Sequence, residues 1–188
     1  MLENTGKSII ENLNLQARIV VDPTLLVERE IYESLFKNRK VKDTYQLFSY
    51  ILHKNQSMAH TITDYVFNRY FDIIEDRKYA QEPLEIYEWL YNIKNAKFVV
   101  TNSFHGVIFS IIFHTPFIVV PVENSTMNNR IVTLLEAVGL KERMVNTFNE
   151  SKIDQLVVKN IDWYQVDEKV GILRKKSVQF LKKAIENT

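Results

Sequence analysis

The sequence predicts an α/β fold built on a doubly wound, mainly parallel sheet, and three observations predict it. Short β-branched and aromatic runs alternate with longer segments whose apolar residues recur at helical spacing. One stretch, residues 98–120, spells strand, polar turn, apolar helix and strand in direct succession, which is a βαβ unit. The chain also carries no internal repeat, low-complexity segment or long linker, so its 188 residues suit one core with at most a small appendage.

Taken in order, residues 8–13 read as the end of a helix and residues 17–21 as a β-run. Asp22-Pro23 cuts that run, because a proline holds the preceding residue extended. Residues 28–36 suit a short helix with Ile31, Leu35 and Phe36 on one side, followed by a basic solvated connector over 37–42. A strand is expected over 45–52, a polar loop over 53–57, a helix over 58–70 and a further strand over 71–74. Pro83 suits the first position of the next helix, where its missing N–H costs nothing. That helix runs to about Lys94, with Leu84, Tyr87, Leu90 and Tyr91 inward.

The central unit follows. Phe98 to Val100 is too short for a helix and β-rich, and Asn102 or Ser103 can cap what comes next. Phe104, Val107, Ile108, Ile111 and Ile112 fall on one face, with Phe109 and Phe113 extending the apolar surface round the other side. Pro116 ends the helix and residues 117–120 resume a strand. The polar cluster lies at the carboxyl end of the first strand, where open α/β sheets bind ligands. Beyond it, Asn128 or Asn129 is the expected cap of a helix with an Ile131, Leu134, Leu135 and Val138 stripe, ended by Gly139. Weak strands are expected at 143–145 and 155–158. A last helix follows from about 166 to 185, its basic face of Arg174, Lys175, Lys176, Lys182 and Lys183 opposite Val170, Leu173, Val178, Leu181 and Ile185. Packing on the body with a solvated face is the expectation there, in preference to contact with anionic lipid.

Bulk composition narrows the function classes. Hydrophobic content of 46% and charged content of 25% are ordinary globular values. A net charge of +1 provides no general field for nucleic acid or anionic lipid. The 12% of aromatics is accounted for by core packing before sugar stacking is invoked. With no cysteine there is no disulfide, thiolate or Cys-based zinc chemistry, which fits a reducing cytoplasm. No stretch approaches the ~18–20 apolar residues of a membrane span, so a soluble chain is expected.

Familiar fingerprints are absent. The 4 glycines are scattered, so neither G-x-G-x-x-G nor a Walker phosphate loop nor G-x-S-x-G can be written. Ser103 and His105 would diverge by about 200° on a helix, a poor nucleophile and base. None of His53, His60, His105 and His114 has the spacing of a zinc helix, and no metal is expected. His114, beside a helix end, reads as structural, and His53 and His60 as surface residues. His105 stands in the first turn of the apolar helix, just after Asn102 and Ser103 and beside Gly106. A helix amino terminus favours an anion, and a glycine there lets one approach the backbone. On the residues alone His105 reads equally as an anion-site residue or as a buried histidine bonded to a carbonyl.

The run "NAKFVVTNSFHGVIFSIIFHTPFIVV", the later "NNRIVTLLEAVGLKERMV", and the earlier "VVDPTLL" and "EPLEIYEWLYNIKNAKFVV" together resemble the carboxyl-terminal half of the polysaccharide pyruvyl transferase family, from about Val20 onward. The resemblance implies a Rossmann-like domain, the carboxyl-terminal half of a GT-B architecture. Residues 27–188 would be the donor-binding domain and residues 1–26 the end of an amino-terminal domain with its linker. It further implies transfer of a pyruvyl group from phosphoenolpyruvate to two hydroxyls of a cell-surface glycan or its lipid-linked precursor. That reaction needs no nucleotide, metal or other cofactor, and would proceed in the cytoplasm or at the inner face of the membrane. His105 matches the family's donor-motif histidine and is the expected catalytic residue. Asn102, Ser103 and Gly106 join it as anion-binding residues. Where some members have an arginine two places before that histidine, this chain has Ser103; Arg130 is the first expected substitute and Arg143 the second. Rival expectations are a nucleotide-sugar glycosyltransferase of the same architecture and a non-catalytic remnant.

Overall fold

A computed structural model describes residues 3–41, 46–52, 57–71 and 84–186. Its centre is a three-stranded parallel sheet in the order β1-β2-β3, formed by Leu47–Tyr50 (β1), Phe98–Thr101 (β2) and Phe117–Val119 (β3). Leu47 pairs with Phe98 and Val99 with Phe117, so the strands end in register at one edge. Helices α1 (Asn4–Asn12), α2 (Arg29–Ser34), α3 (Ser57–Tyr70), α4 (Ile86–Asn95), α5 (Phe104–Phe113), α6 (Asn128–Val138), α7 (Glu150–Val158) and α8 (Trp163–Glu186) surround it.

The strands are apolar on both faces, and each face has its own core. Phe48, Val99, Phe117 and Val119 pack with Leu90, Ile93, Val107, Ile111, Leu135 and Val170, which brings α4, α5, α6 and α8 to one side. Leu47, Phe98, Val100 and Ile118 face the other side, against Ala59, Ile62 and Val66 of α3 and Ile153 and Leu156 of α7. Side chains alternate across a strand, so continuous apolar runs require this double cover. The sheet is therefore the expected Rossmann-like, doubly wound kind. The β2–α5–β3 unit stands where the sequence placed it, and α5 is buried on all sides but one, His105 being its exposed residue.

Several local expectations give way. Residues 17–21 form no strand, because the Val21 amide donates to Ser177 Oγ of α8 instead of a strand neighbour. Residues 155–158 belong to α7. Asn149 caps that helix by accepting from the Lys152 amide, and Ile153 and Leu156 turn to one face. The strand expected at 143–145 reduces to a single bridge, Met144 with Val119, after a 3-10 turn at Lys141–Arg143. Neither asparagine caps α6; Asn128 opens it, and its side-chain amide brackets Val122, accepting from the N–H at 3.0 Å and donating to the carbonyl at 2.7 Å. Gly139 does end α6, at φ 79°, with Leu140 buried behind it. The helix expected from Pro83 starts only at Ile86, because Glu85 before it is extended, with φ -59° and ψ 146°, and serves as its cap residue. The strand expected at 71–74 lies, past Phe71, outside the described residues, as does His53.

Candidate active site

The carboxyl end of β2 turns directly into α5, and its polar residues build that turn. Thr101, fully buried, donates its hydroxyl to the Tyr50 carbonyl at 2.7 Å and accepts from the Ser103 amide at 3.0 Å. Asn102 is also buried; its side chain accepts from the Leu52 amide at 2.7 Å and donates to the Leu52 carbonyl at 2.8 Å. The segments after β1 and β2 are thereby tied together. Ser103 is the cap of α5, its Oγ accepting from the Gly106 amide at 3.3 Å. That leaves its O–H hydrogen to donate elsewhere, beside the first helical amides, which the helix ladder does not use. Gly106 is buried, and a side chain there would run into Thr101 Oγ1 at 2.6 Å, so the absent side chain faces the strand. Its immediate effect is to seat the helix close on β2.

His105 is the one residue of this turn that faces out. Its side chain is 51% exposed, and Nε2 lies 3.8 Å from Oδ2 of Asp22. Asp22 comes from the Asp-Pro-Thr turn far earlier in the chain. It caps the 3-10 turn Pro23–Leu26, and its other oxygen, Oδ1, accepts from the Thr24 amide at 3.0 Å and the Thr24 hydroxyl at 2.6 Å. Tyr32 braces the same turn by donating to the Thr24 carbonyl at 2.9 Å. Burial, and then the nearby Asp22 carboxylate, push the Tyr32 phenol above its ordinary range, so it remains a donor at neutral pH. The result is an exposed imidazole facing a carboxylate whose geometry is fixed, a pairing suited to general acid–base work.

Arg130, in the first turn of α6, lies with its guanidinium carbon 4.9 Å from the centre of the Phe104 ring. The same ring is 5.6 Å from that of His105. Phe104 thus carries the cation on one flank and the imidazole on another, and a guanidinium stacked on an aromatic face keeps its donors free at the edge. Arg143 is placed differently. It is fully buried and donates to the carbonyls of Leu156 at 2.6 Å and Lys159 at 2.7 Å, closing the end of α7. Burial lowers its pKa from the usual arginine value. So the first substitute arginine joins the His105 turn, whereas the second has its guanidinium committed to the scaffold.

His114 ends α5 in the left-handed conformation at φ 59°. It stacks on Trp163 with ring centres 4.9 Å apart and meets Asp167 at 2.9 Å, ties that dock α8 on α5. Among the described residues no group of three or more His, Cys, Asp or Glu could hold a metal ion, and no helix is long and apolar enough to cross a membrane.

Sequence reasoning singled out five residues that the structure gathers near this turn, namely Asn102, Ser103, His105, Gly106 and Arg130. It missed Asp22 as a partner of His105. The only signal for it was the Asp-Pro-Thr run, which explains a turn without saying what the turn faces.

No curated protein and no solved structure shows significant similarity to this chain. A family model does match, over residues 3–124, a span that contains Asp22, Asn102, Ser103, His105 and Gly106 and stops before Arg130 and Arg143. On that match the chain belongs to the polysaccharide pyruvyl transferase family.

Proposed function

We propose that the His105 turn binds phosphoenolpyruvate and that the chain supplies the donor-binding part of a pyruvyl transferase acting on sugar hydroxyls of a cell-surface glycan or its lipid-linked precursor. The observation that carries the proposal is that His105 alone in its turn faces out. Thr101, Asn102 and Ser103 are engaged in backbone bonds that hold it in place.

The chemistry follows from the groups present. The phosphate and carboxylate of the donor meet the first amides of α5, the Ser103 hydroxyl and the Arg130 guanidinium, all favourable to negative charge. In its acid form the imidazole carries protons on both nitrogens. Nε2 faces Asp22, so Nδ1 delivers its proton to the methylene carbon of the enol, which becomes a methyl group. A sugar hydroxyl then bonds to the neighbouring carbon, where the cation develops, and gives up its proton. The carbon–oxygen bond to phosphate breaks, inorganic phosphate leaves, and a second hydroxyl of the same sugar closes the ketal. One of the two hydroxyl protons restores the acid form of His105, which gave its own to carbon, and the other leaves on the phosphate.

Calorimetric titration with phosphoenolpyruvate, pyruvate, inorganic phosphate and a nucleotide-sugar tests this directly. Phosphoenolpyruvate is expected to bind and to be displaced by phosphate. Binding of the nucleotide-sugar in its place would make the chain a glycosyltransferase domain, and binding of neither would remove the donor site.

A further inference from the structure

We infer that the end of α8, together with the segment after α1, forms a docking surface for an anionic lipid bilayer. Up to Ser177 the inward stripe of α8 is covered, with Val166, Val170 and Ser177 all buried. The same helical spacing continues through Phe180, Leu181, Ala184 and Ile185, and there it is exposed, at 37% for Phe180, 42% for Leu181 and 75% for Ile185. The last turns of α8 therefore carry an apolar face past the body that its earlier turns pack against. Leu13 and Leu15, which follow α1, are exposed as well, at 64% and 59%.

Charge decides what this face suits. A groove of about 640 Å³ runs between the two segments, lined by Lys7, Arg18, Lys176 and Lys183 around Ile19 and Phe180, and among the described residues no acidic one lines it. Along α8, Lys175, Lys176, Lys182 and Lys183 follow the turns committed to the body, where Arg174 pairs with Glu28 at 3.2 Å and Lys169 donates to the Val138 carbonyl at 3.3 Å. The nearest acids on the two helices are Glu11, paired with Lys7 at 3.5 Å, and Glu186 at the helix end. Cations flanking exposed leucine, isoleucine and phenylalanine on a helix are what a headgroup layer of negative charge recognises, the apolar side chains entering the acyl boundary. A protein partner covering an apolar face needs no such excess of one sign. The inference is independent of the donor-site proposal and would hold if that proposal failed.

The test is cosedimentation of the whole chain with phosphatidylcholine vesicles, with and without phosphatidylglycerol. Binding is expected only with phosphatidylglycerol, and is expected to vanish at about 1 M salt, where the screening length falls to about 3 Å. Each cation near such a surface contributes about fivefold in affinity, so Lys176→Glu/Lys183→Glu should weaken binding by about 25-fold or more. Phe180→Ser/Leu181→Ser should weaken it at unchanged charge. Lys176 and Lys183 are exposed, so the charge-reversal variant should melt with wild type, and the Phe180 and Leu181 variant is compared at a temperature where it is folded. Equal binding to both vesicle types, no binding, or binding unaffected by the charge reversal would overturn the inference. So would a concentration-dependent dimer in sedimentation that Phe180→Ser/Leu181→Ser abolishes, because a second copy would then be the occupant.

Discussion

Replacing Gly106 with alanine tests how the turn that presents His105 is seated. The added methyl would stand 2.6 Å from Thr101 Oγ1, 3.2 Å from Thr101 Cγ2 and 3.3 Å from Ser103 Cβ. Thr101 has little room to retreat, because it is fully buried and bonded to both the Tyr50 carbonyl and the Ser103 amide. Overpacking of this kind costs about 1–3 kcal/mol. The better helix propensity of alanine offsets about 0.5–1 kcal/mol of that. A net loss of up to about 2.5 kcal/mol should lower the melting temperature by as much as roughly 10 °C in a chain of this size. The assay is a set of thermal melts on wild type, Gly106→Ala, Thr101→Ala and the double variant. Thr101→Ala removes the atoms that the methyl strikes, so the two losses should fall short of additive by about 0.5 kcal/mol or more. If Gly106→Ala melts at or above wild type, or if the two losses simply add, Thr101 does not set the glycine and the reasoning fails.

Three further outcomes are expected. Arg143→Met should destabilise by about 2–4 kcal/mol, since the carbonyls of Leu156 and Lys159 lose buried donors. It should leave phosphoenolpyruvate binding intact at a temperature where the variant is folded, which calorimetry would check. Asp22→Asn should keep the cap on the Thr24 amide, and with it the melting temperature, yet reduce phosphate release from phosphoenolpyruvate in a turnover assay. Asp154 is held below the usual carboxylate range, first by the Tyr70 hydroxyl, then by Tyr65 and Arg69, which outweigh its desolvation. Such a depressed group contributes stability that is present above about pH 4 and lost as pH falls through its lower folded value. Melts across that range should therefore show the deficit of Asp154→Asn narrowing as the solution is acidified.

Where the chain repeats one period for long enough, its sequence shows its structure. The β2–α5–β3 unit was legible because β-branched strands, a capping serine and an all-round apolar helix agree with one another. The helical stripe of α6 and its terminating Gly139 were legible for the same reason. Residues 17–21 were not, because β-propensity describes a residue's fit to a sheet and cannot say whether a neighbouring strand exists; Val21 found Ser177 instead. Residues 155–158 misled through β-branched Val157 and Val158, while the decisive signals for a helix were the Asn149 cap and the spacing of Ile153 and Leu156. Within the site, His105, Ser103 and Asn102 could be found because a local motif holds them. Their separate tasks could not, since a buried Asn102 bonded to Leu52 and an exposed His105 differ only in tertiary surroundings. Asp22 was invisible as a partner because nothing local in the Asp-Pro-Thr turn states that it folds against α5.

The most direct measurement of the central claim is a pair of melting curves, with and without phosphoenolpyruvate, for wild type and His105→Asn. A half-exposed histidine makes few packing contacts, so the variant without ligand should melt close to wild type. At ~100 times its dissociation constant the ligand should stabilise wild type by about 2.7 kcal/mol, and it should stabilise the variant hardly at all. If His105→Asn melts far below wild type without ligand, yet gains the full stabilisation from phosphoenolpyruvate, the histidine belongs to the scaffold and the donor does not bind at this turn.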